Sequence, residues 1–344
     1  MRAAALLVAA LFALRAEAGG LTLGQPAFVG SLLPPLPTVA ITSPNSGNAH
    51  DVVESTSVTV SGTTTGAPAD VKWKIGAGSE TSCTVGSGTF SCNVTGLTAN
   101  AAQTVTVTPY TGGAAAGTAD TQAITRLAPC GAANAEVLYR AQSLGLANND
   151  PVTTWTNLGT VASADAAQSG ASTLKPTFLS SCINGEACID FDGGDYLRTA
   201  AFTSNATPYT ICFVTGVDTT TNSFIFDDDA TASAVWCHLA GAGPAPRCGG
   251  SAGFTASTTV ATGQWYTICS HVNGASSAIA VNGTSTTGTM GTTAHDAFTV
   301  GANQALTALM NGRIAALWRC DGDARADGKA YADADFGSTW PKAF

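Results

Sequence analysis

Ala187-Cys188-Ile189-Asp190-Phe191-Asp192-Gly193-Gly194-Asp195-Tyr196-Leu197 is the stretch on which the reading of the fold turns. Its opening residues, ACIDF, read as a strand, and alternation puts Asp190 and Asp192 on one face. Gly193-Gly194 permits a tight connection, because glycine reaches backbone conformations closed to other residues. Phe191 and Tyr196 are then expected to face a core. Further strand-like runs follow: YTICFVTGV from Tyr209, SFIFD from Ser223, AVWCHLA from Ala234, WYTICSHV from Trp265, SAIAVNG from Ser277, AFTVGA from Ala297 and IAALWRC from Ile314. Asn282-Gly283 supplies the residue pair that tolerates positive φ in a two-residue hairpin. Helical signal is weak and confined to AEVLYRAQSLG from Ala135 and the Ala-rich stretch around Ala330–Ala334. Residues 130–344, about 215 of them, suit one larger sandwich or jelly roll.

Upstream, residues 38–127 carry short alternating runs: TVAIT, SVTVSG, VKWKIG, TFSCNVTGL, QTVTVTPY and TQAITRL, separated by PNSG, APAD, GSG and TGG. In VKWKIG, Val71, Trp73 and Ile75 fall on one face and Lys72 and Lys74 on the other, as in an antiparallel sheet with one wet face. Six or seven strands in about 90 residues is the pattern of a β-sandwich of Ig-like or fibronectin-like kind. The boundary between the two segments falls near Ala128-Pro129-Cys130.

Composition agrees and excludes other classes. Among 344 residues, charged residues make up 11% and the net charge is −9, with 14 Lys and Arg against 23 Asp and Glu. A nucleic-acid binder needs a basic surface to neutralise phosphates, and this chain has none. A polybasic membrane-surface protein is excluded on the same ground, and global disorder by the 45% apolar content.

Residues 1–18 read as a signal peptide: Arg2, an apolar run of twelve from Ala3 to Leu14, then Ala16-Glu17-Ala18 as a small-x-small cleavage site. Cleavage after Ala18 leaves a net charge of about −10 (−9, less two Arg and one Glu). Residues 19–37, with GSLLPPLP, read as a linker. No later run is apolar enough for a membrane span. A secreted, extracellular location follows, and ten cysteines fit it because disulfides persist in oxidising compartments. Cys83/Cys92, Cys182/Cys188 and Cys237/Cys248 lie close in the chain and would each close a short loop or hairpin. Cys212 and Cys269 sit in similar runs and are paired here, leaving Cys130 with Cys320. Sequence by itself does not determine connectivity. Zinc is disfavoured, because no C-x₂-C pair exists and His50, His238, His271 and His295 are scattered.

Five strings of the second segment resemble the concanavalin A-like lectin/glucanase superfamily in its laminin-G-like form. Leu138-Tyr139-Arg140-Ala141 through Val152-Thr153-Thr154-Trp155 is similar to the opening of such domains, which ends in a buried tryptophan. Ala187–Leu197 resembles the "V-x-F-D-G-x-D-D-Y-L" signature. Gly263-Gln264-Trp265-Tyr266 resembles the strand that a Trp begins, and Ile279-Ala280-Val281-Asn282-Gly283 the "x-V-N-G" hairpin. Met310-Asn311-Gly312-Arg313-Ile314-Ala315-Ala316-Leu317 is similar to the closing strand. The five stand in the family's order over about 180 residues. The resemblance implies an all-β fold in which an N-terminal Ig-like β-sandwich is followed by a concanavalin A-like jelly-roll sandwich. Trp155, Trp265 and Trp318 are expected in the core.

The superfamily spans lectins, adhesion modules and glucanases, so fold does not decide function. Glucanase members carry E-x-D-x-x-E on one strand, which places a nucleophile and an acid/base on one face. That motif is absent here, and Glu136 and Glu186 stand alone in the second segment. The reading is therefore a secreted, non-catalytic, lectin-like protein whose partner is a glycan or glycoprotein surface, with no nucleic acid and no membrane insertion. A structural or adhesion component of a matrix, surface layer or virus particle is the first alternative. A polysaccharide-degrading enzyme using Asp190 or Asp192 is the second. Trp236, with His238 and Asn222, is the candidate ligand platform, because sugar sites need an aromatic surface with polar groups beside it. Tyr110 and Trp340 are weaker candidates. Asp227-Asp228-Asp229 is the candidate Ca2+ site, since calcium takes six to eight oxygens from carboxylates and loop carbonyls. Asp321, Asp323 and Asp327 form a second acidic stretch that loosely resembles a calcium loop. Asn93 and Asn282 begin glycosylation motifs (Asn93-Val94-Thr95 and Asn282-Gly283-Thr284), while Asn205-Ala206-Thr207 is weakened by Pro208.

Overall fold

The computed structural model describes residues 36–343 apart from 45–49, 54, 204–205, 220–222, 229–234, 240–244 and 250–251. The expected signal peptide, almost all of the linker, Asn205, Asn222 and Asp229 lie outside the described residues. Residues 37–344 form one compact unit, and it is built from two sandwiches.

The first comprises β1 (Thr38–Ser43), β2 (His50–Val53), β3 (Ser57–Thr65), β4 (Asp70–Ile75), β5 (Thr81–Ser82), β6 (Thr84–Gly86), β7 (Thr89–Thr95), β8 (Ala102–Thr111), β9 (Ala114–Ala115) and β10 (Asp120–Leu127). One sheet runs β1-β3-β7-β6 and the other β2-β10-β8-β4-β5, with β9 on β8. Alternation drives the layering. In β7, Phe90, Cys92 and Val94 are buried while Thr89, Ser91, Asn93 and Thr95 are exposed. In β4, Val71 and Trp73 are buried and Lys72 and Lys74 half-buried. Val60, Phe90, Val105, Val107 and Ile124 join them in one apolar core.

The second sandwich comprises β11 (Val137–Arg140), β12 (Thr154–Trp155), β13 (Ala166–Ala167), β14 (Thr177–Ile183), β15 (Glu186–Asp192), β16 (Leu197–Arg198), β17 (Tyr209–Val217), β18 (Ser223–Asp227), β19 (Trp236–Leu239), β20 (Pro246–Gly249), β21 (Gly253–Thr255), β22 (Gln264–Val272), β23 (Ser277–Val281), β24 (Thr284–Gly288), β25 (Thr299–Val300), β26 (Asn311–Asp321) and β27 (Lys342–Ala343), with helix α1 (Arg325–Phe336). Among the described residues its larger sheet has nine strands, β14-β15-β26-β17-β22-β23-β24 with β11 beside β26 and β27 beside β22. The facing sheet has eight, β12-β13-β16-β25-β18-β19-β20-β21. The chain is thus all-β in architecture, with a single α-helix among the described residues.

The two sheets enclose Trp155, Phe191, Phe213, Phe226, Phe298 and Leu317. A second apolar layer lies on the far side of the nine-stranded sheet, where α1 packs Tyr331, Ala332 and Phe336 against Trp265 and Trp318. Trp318 and Tyr331 meet edge to face at 4.8 Å. Covered on both faces, β17 is buried at every residue, which is why YTICFVTGV reads as a continuous apolar run instead of an alternating one. Buried ion pairs pin the outer layer. Arg140 on β11 donates through Nε to Asp335 Oδ2 of α1 at 3.1 Å and through Nη2 to Oδ1, and Arg319 pairs with Glu136.

Ten cysteines make five disulfides: Cys83–Cys92, Cys130–Cys320, Cys182–Cys188, Cys212–Cys269 and Cys237–Cys248. The junction between the sandwiches is short and packed. Leu127 reaches the layer beneath α1, and the Asn100 side chain both accepts from Ala128 N and donates to Ala128 O at 2.8 Å.

Three local expectations are corrected. AEVLYRAQSLG is strand β11 followed by a 3₁₀ turn at Ala141–Leu144, because Val137–Arg140 pair with β26 and are buried. The stretch from Asp321 to Asp327 is not all loop: it runs into α1, with Asp327 in the first turn. Phe191 faces the core as expected, whereas Tyr196 is half-exposed with Arg198 over its ring at 5.5 Å, and Leu197 points inward instead. The Asn282-Gly283 hairpin does form, with φ of 50° and 87°.

Candidate functional site

The central strands of the nine-stranded sheet are buried on both sides, and a broad open sheet surface lies on the outer face of its partner. There β19 alternates cleanly: Trp236 and His238 are half-buried on the outside, while Cys237 and Leu239 enter the core. Register aligns Trp236 with Gly249, Cys237 with Cys248 and His238 with Arg247 across β20. On the other side Phe224 of β18 pairs with His238. Four outward side chains are thereby brought together. Phe224 and His238 rings lie 4.6 Å apart, Trp236 and His238 are edge to face at 4.9 Å, and the exposed Arg247 guanidinium lies 5.2 Å from the Trp236 ring centre.

Small residues make room for the indole. A Cβ placed on Gly253 would lie 3.0 Å from Trp236 Cη2 and 3.1 Å from Cζ2, so β21 offers bare backbone beneath the ring. Burial holds the His238 pKa below its usual value, and nearby Arg247 lowers it further. The imidazole is therefore neutral at pH 7 and can both donate and accept. Both ring nitrogens are buried, with no hydrogen-bond partner among the described residues, so the ring packs as part of the cluster floor. The Cys237–Cys248 disulfide underlies this cluster at directly paired positions, one residue from Trp236 and His238 on one strand and from Arg247 on the other.

The acidic run beside it serves the backbone. Asp227 accepts from Asp228 N at 2.9 Å and from Gln304 N at 2.8 Å, and the Gln304 carbonyl accepts from Arg198 Nη2. Asp228 is fully buried. Among the described residues no group of three His, Cys, Asp or Glu is arranged to hold a metal ion. Of the expected calcium residues, Asp227 thus holds two backbone amides and Asp228 lies inside the fold, while Asp229 is outside the described residues.

The carboxylates of the signature string also have structural roles. Asp190 accepts from Arg313 Nε at 2.8 Å. Asp192 accepts from Gly194 N at 2.8 Å, and Asp195 accepts from Asp192 N at 3.1 Å, so both shape the turn. Burial and the neighbouring Asp192 push the Asp195 carboxyl up to about 6.

Tyr110 is no platform: it is buried, its hydroxyl donates to Glu80, and Lys72 Nζ sits 4.4 Å from its ring centre. Trp340 is half-buried and donates to Asp333 Oδ1 at 2.8 Å. Asn93 is exposed on β7 together with Thr95, while Asn282 accepts from Thr267 N at 2.9 Å through Oδ1. Phe224 and Arg247 were absent from the sequence reading. A signal for Arg247 was present, since pairing Cys237 with Cys248 in adjacent strands already sets it opposite His238.

No protein-family model and no curated protein matches this chain. Among solved structures it is similar to domain 4 of AbnA, a GH43 extracellular arabinanase from Geobacillus stearothermophilus in complex with arabinotriose, at 15% identity and a TM-score of 0.42 over 58% of this chain and 100% of that one. It is also similar to an arabinofuranosidase complexed with arabinofuranosyl-α-1,2-xylobiose (11% identity, TM-score 0.43, 62% of this chain and 60% of that one). A protein from Bacteroides ovatus described as carbohydrate binding matches at 10% identity and a TM-score of 0.31, over 82% of each chain.

Proposed function

We propose that this protein recognises carbohydrate outside the cell without catalysis, through the outer face of the eight-stranded sheet centred on Trp236. The observation that carries the reading is the half-exposed indole of Trp236 held between Arg247 and the neutral His238. An aromatic face covers the C–H surface of a sugar ring, while the exposed Arg247 guanidinium offers hydrogen bonds to its hydroxyls and the His238 ring buttresses the indole from beneath. The resemblance of the second sandwich's sequence to laminin-G-like lectin domains supports this. Five disulfides fit an extracellular protein, and no helix among the described residues is long and apolar enough to cross a membrane. The non-catalytic part is supported by the engagement of Asp190 with Arg313 and of Asp192 and Asp195 in their turn.

The test is a glycan array probed with the full chain, with and without calcium. Binding to at least one polysaccharide or glycoprotein glycan is expected, and Trp236→Ala is expected to weaken it at least about tenfold, equivalent to ~1.4 kcal/mol. An array blank under both conditions, or binding indifferent to Trp236→Ala, overturns the reading. Release of reducing sugar from the bound polysaccharide overturns its non-catalytic part.

Replacing Cys237 and Cys248 together by Ala probes the support beneath the site. The loop they close is short, so a stability loss of about 2 kcal/mol is expected, with a larger proportional loss of glycan affinity because β19 and β20 are freed to shift. Calorimetric titration beside urea unfolding separates the two effects. Unchanged affinity in a folded double variant would show that the disulfide does not position the face.

A further inference from the structure

A cleft of about 540 Å³ opens on the opposite side of the second sandwich, between α1 and the β23–β24 hairpin. Its volume falls in the range of small-molecule sites, roughly 300–1,000 Å³. Arg325 and Lys329 stand four residues apart on one face of α1 and both line it. Arg325 donates to Asp323 through Nε at 2.8 Å and Nη2 at 2.6 Å, and to Ser285 Oγ through Nη1 at 2.8 Å. Lys329 Nζ donates to Asp333 Oδ1 and Oδ2 at 2.6 and 2.7 Å, and Asp333 is steadied by Trp340 Nε1. The side chains of these four ionised residues remain 21–47% exposed, so they reach the cleft without being sealed in it. Methyl groups of Ala280 and Ala330 complete the wall.

The chemistry of the lining selects a ligand class. Two cations and two carboxylates cancel, so an anion gains from Arg325 and Lys329 but is repelled by Asp323 and Asp333, and a cation suffers the converse. A neutral polyol has no such conflict. Each of its hydroxyls donates one hydrogen bond and accepts others, matching a wall of fixed donors, fixed acceptors and one serine that is both. The ion pairs hold these groups in place beforehand, which lowers the ordering cost of binding. Arg325 holds Asp323 down at about 2, keeping it an acceptor throughout the physiological range.

We infer that this cleft is a second saccharide subsite, taking one or two neutral sugar residues between α1 and the β23–β24 hairpin. It is separate from the Trp236 face and does not rest on that proposal. If both sites are filled, the sandwich carries a glycan on each side and can bridge two chains.

The experiment is a titration of the ¹⁵N-labelled full chain with glucose, galactose, mannose, xylose, arabinose and cellobiose, followed by amide chemical shifts. At least one sugar is expected to give saturable shifts at residues 280–285 and 323–333. Ala330→Tyr, which plugs the cleft from an exposed position, is expected to abolish them with the thermal midpoint unchanged. Ser285→Ala is expected to weaken binding at least fivefold, and Trp236→Ala to leave it as it was. No saturable shift in the cleft with any sugar of the panel overturns the inference. So does binding that survives Ala330→Tyr. Tighter binding of glucuronate than of glucose overturns the assignment to neutral sugars.

Discussion

Gly328→Val is expected to cost more than about 3 kcal/mol of stability, and Gly328→Ala to be destabilising although alanine is the better helix former. Gly328 sits within α1 where the helix rides directly over the Cys212–Cys269 disulfide. A Cβ there would lie 2.7 Å from Cys212 Sγ, 3.2 Å from Cys269 Sγ and 3.2 Å from Trp318 Nε1. Glycine in a helix interior costs about 1 kcal/mol relative to alanine, so removing it should help an isolated helix by that amount. Forcing a methyl group into a packed layer costs about 1–3 kcal/mol and occasionally more. The sulfur cannot swing away, because both cysteines are cross-linked between adjacent central strands at directly paired positions. The clash therefore exceeds the propensity gain, and the two γ-methyls of valine widen the margin. Urea unfolding of the three proteins measures the order, with glycine the most stable, alanine next and valine last. The decisive comparison repeats Gly328→Ala with Cys212 and Cys269 both changed to Ala. With the obstacle removed the same substitution is expected to become neutral or stabilising. An effect of Gly328→Ala that is equally unfavourable in both backgrounds would place its cause elsewhere.

The second large effect is a loss of stability in acid that traces to one side chain. His295 is fully buried in the main core, 4.1 Å from the Phe298 ring and within 6.4 Å of Phe202, Phe226 and Tyr209. Burial pushes its pKa down to about 3. In the unfolded chain an imidazole titrates near 6.5. Between those values the unfolded state binds the proton and the folded state does not, so stability falls as pH falls, by about 1.4 kcal/mol per pH unit. Above pH ~6.5 the contribution is level, and between pH 7 and pH 4 it amounts to a loss of about 3 kcal/mol. Asp195 works in the opposite sense: its carboxyl is raised to about 6, so the folded state binds the extra proton and gains stability as pH falls toward the unfolded carboxylate range. A single protein's pH profile mixes the two. The difference between the native chain and His295→Gln, which cannot titrate, isolates the histidine. That difference is expected to change by about 1.4 kcal/mol per unit below pH ~6.5 and to be constant above it. Parallel profiles at all pH values would refute the assignment.

Sequence by itself determined the local grammar of this protein. Alternation in SVTVSG, VKWKIG and TFSCNVTGL marked strands with one wet face, because side chains of a strand point alternately to two environments. Runs such as YTICFVTGV marked strands, although only the structure showed this one to be buried on both sides. Asn282-Gly283 marked a hairpin through its tolerance of positive φ, and cysteine spacing pointed to the short-range disulfides. What the sequence did not carry is which distant strands become neighbours. Phe224, Trp236, His238 and Arg247 form one cluster only through the pairing of β18, β19 and β20. Asp323, Arg325 and Ser285 meet only because α1 folds back over the nine-stranded sheet. Nor does a row of acidic residues show its surroundings: Asp227 accepts from the backbone of Gln304, 77 residues along the chain, and Asp228 is buried. The physical reason is one of range. Propensity, turn chemistry and periodicity act over a few residues and are written in each segment, whereas a site depends on which faces are covered and which polar groups are already satisfied, and long-range packing decides both.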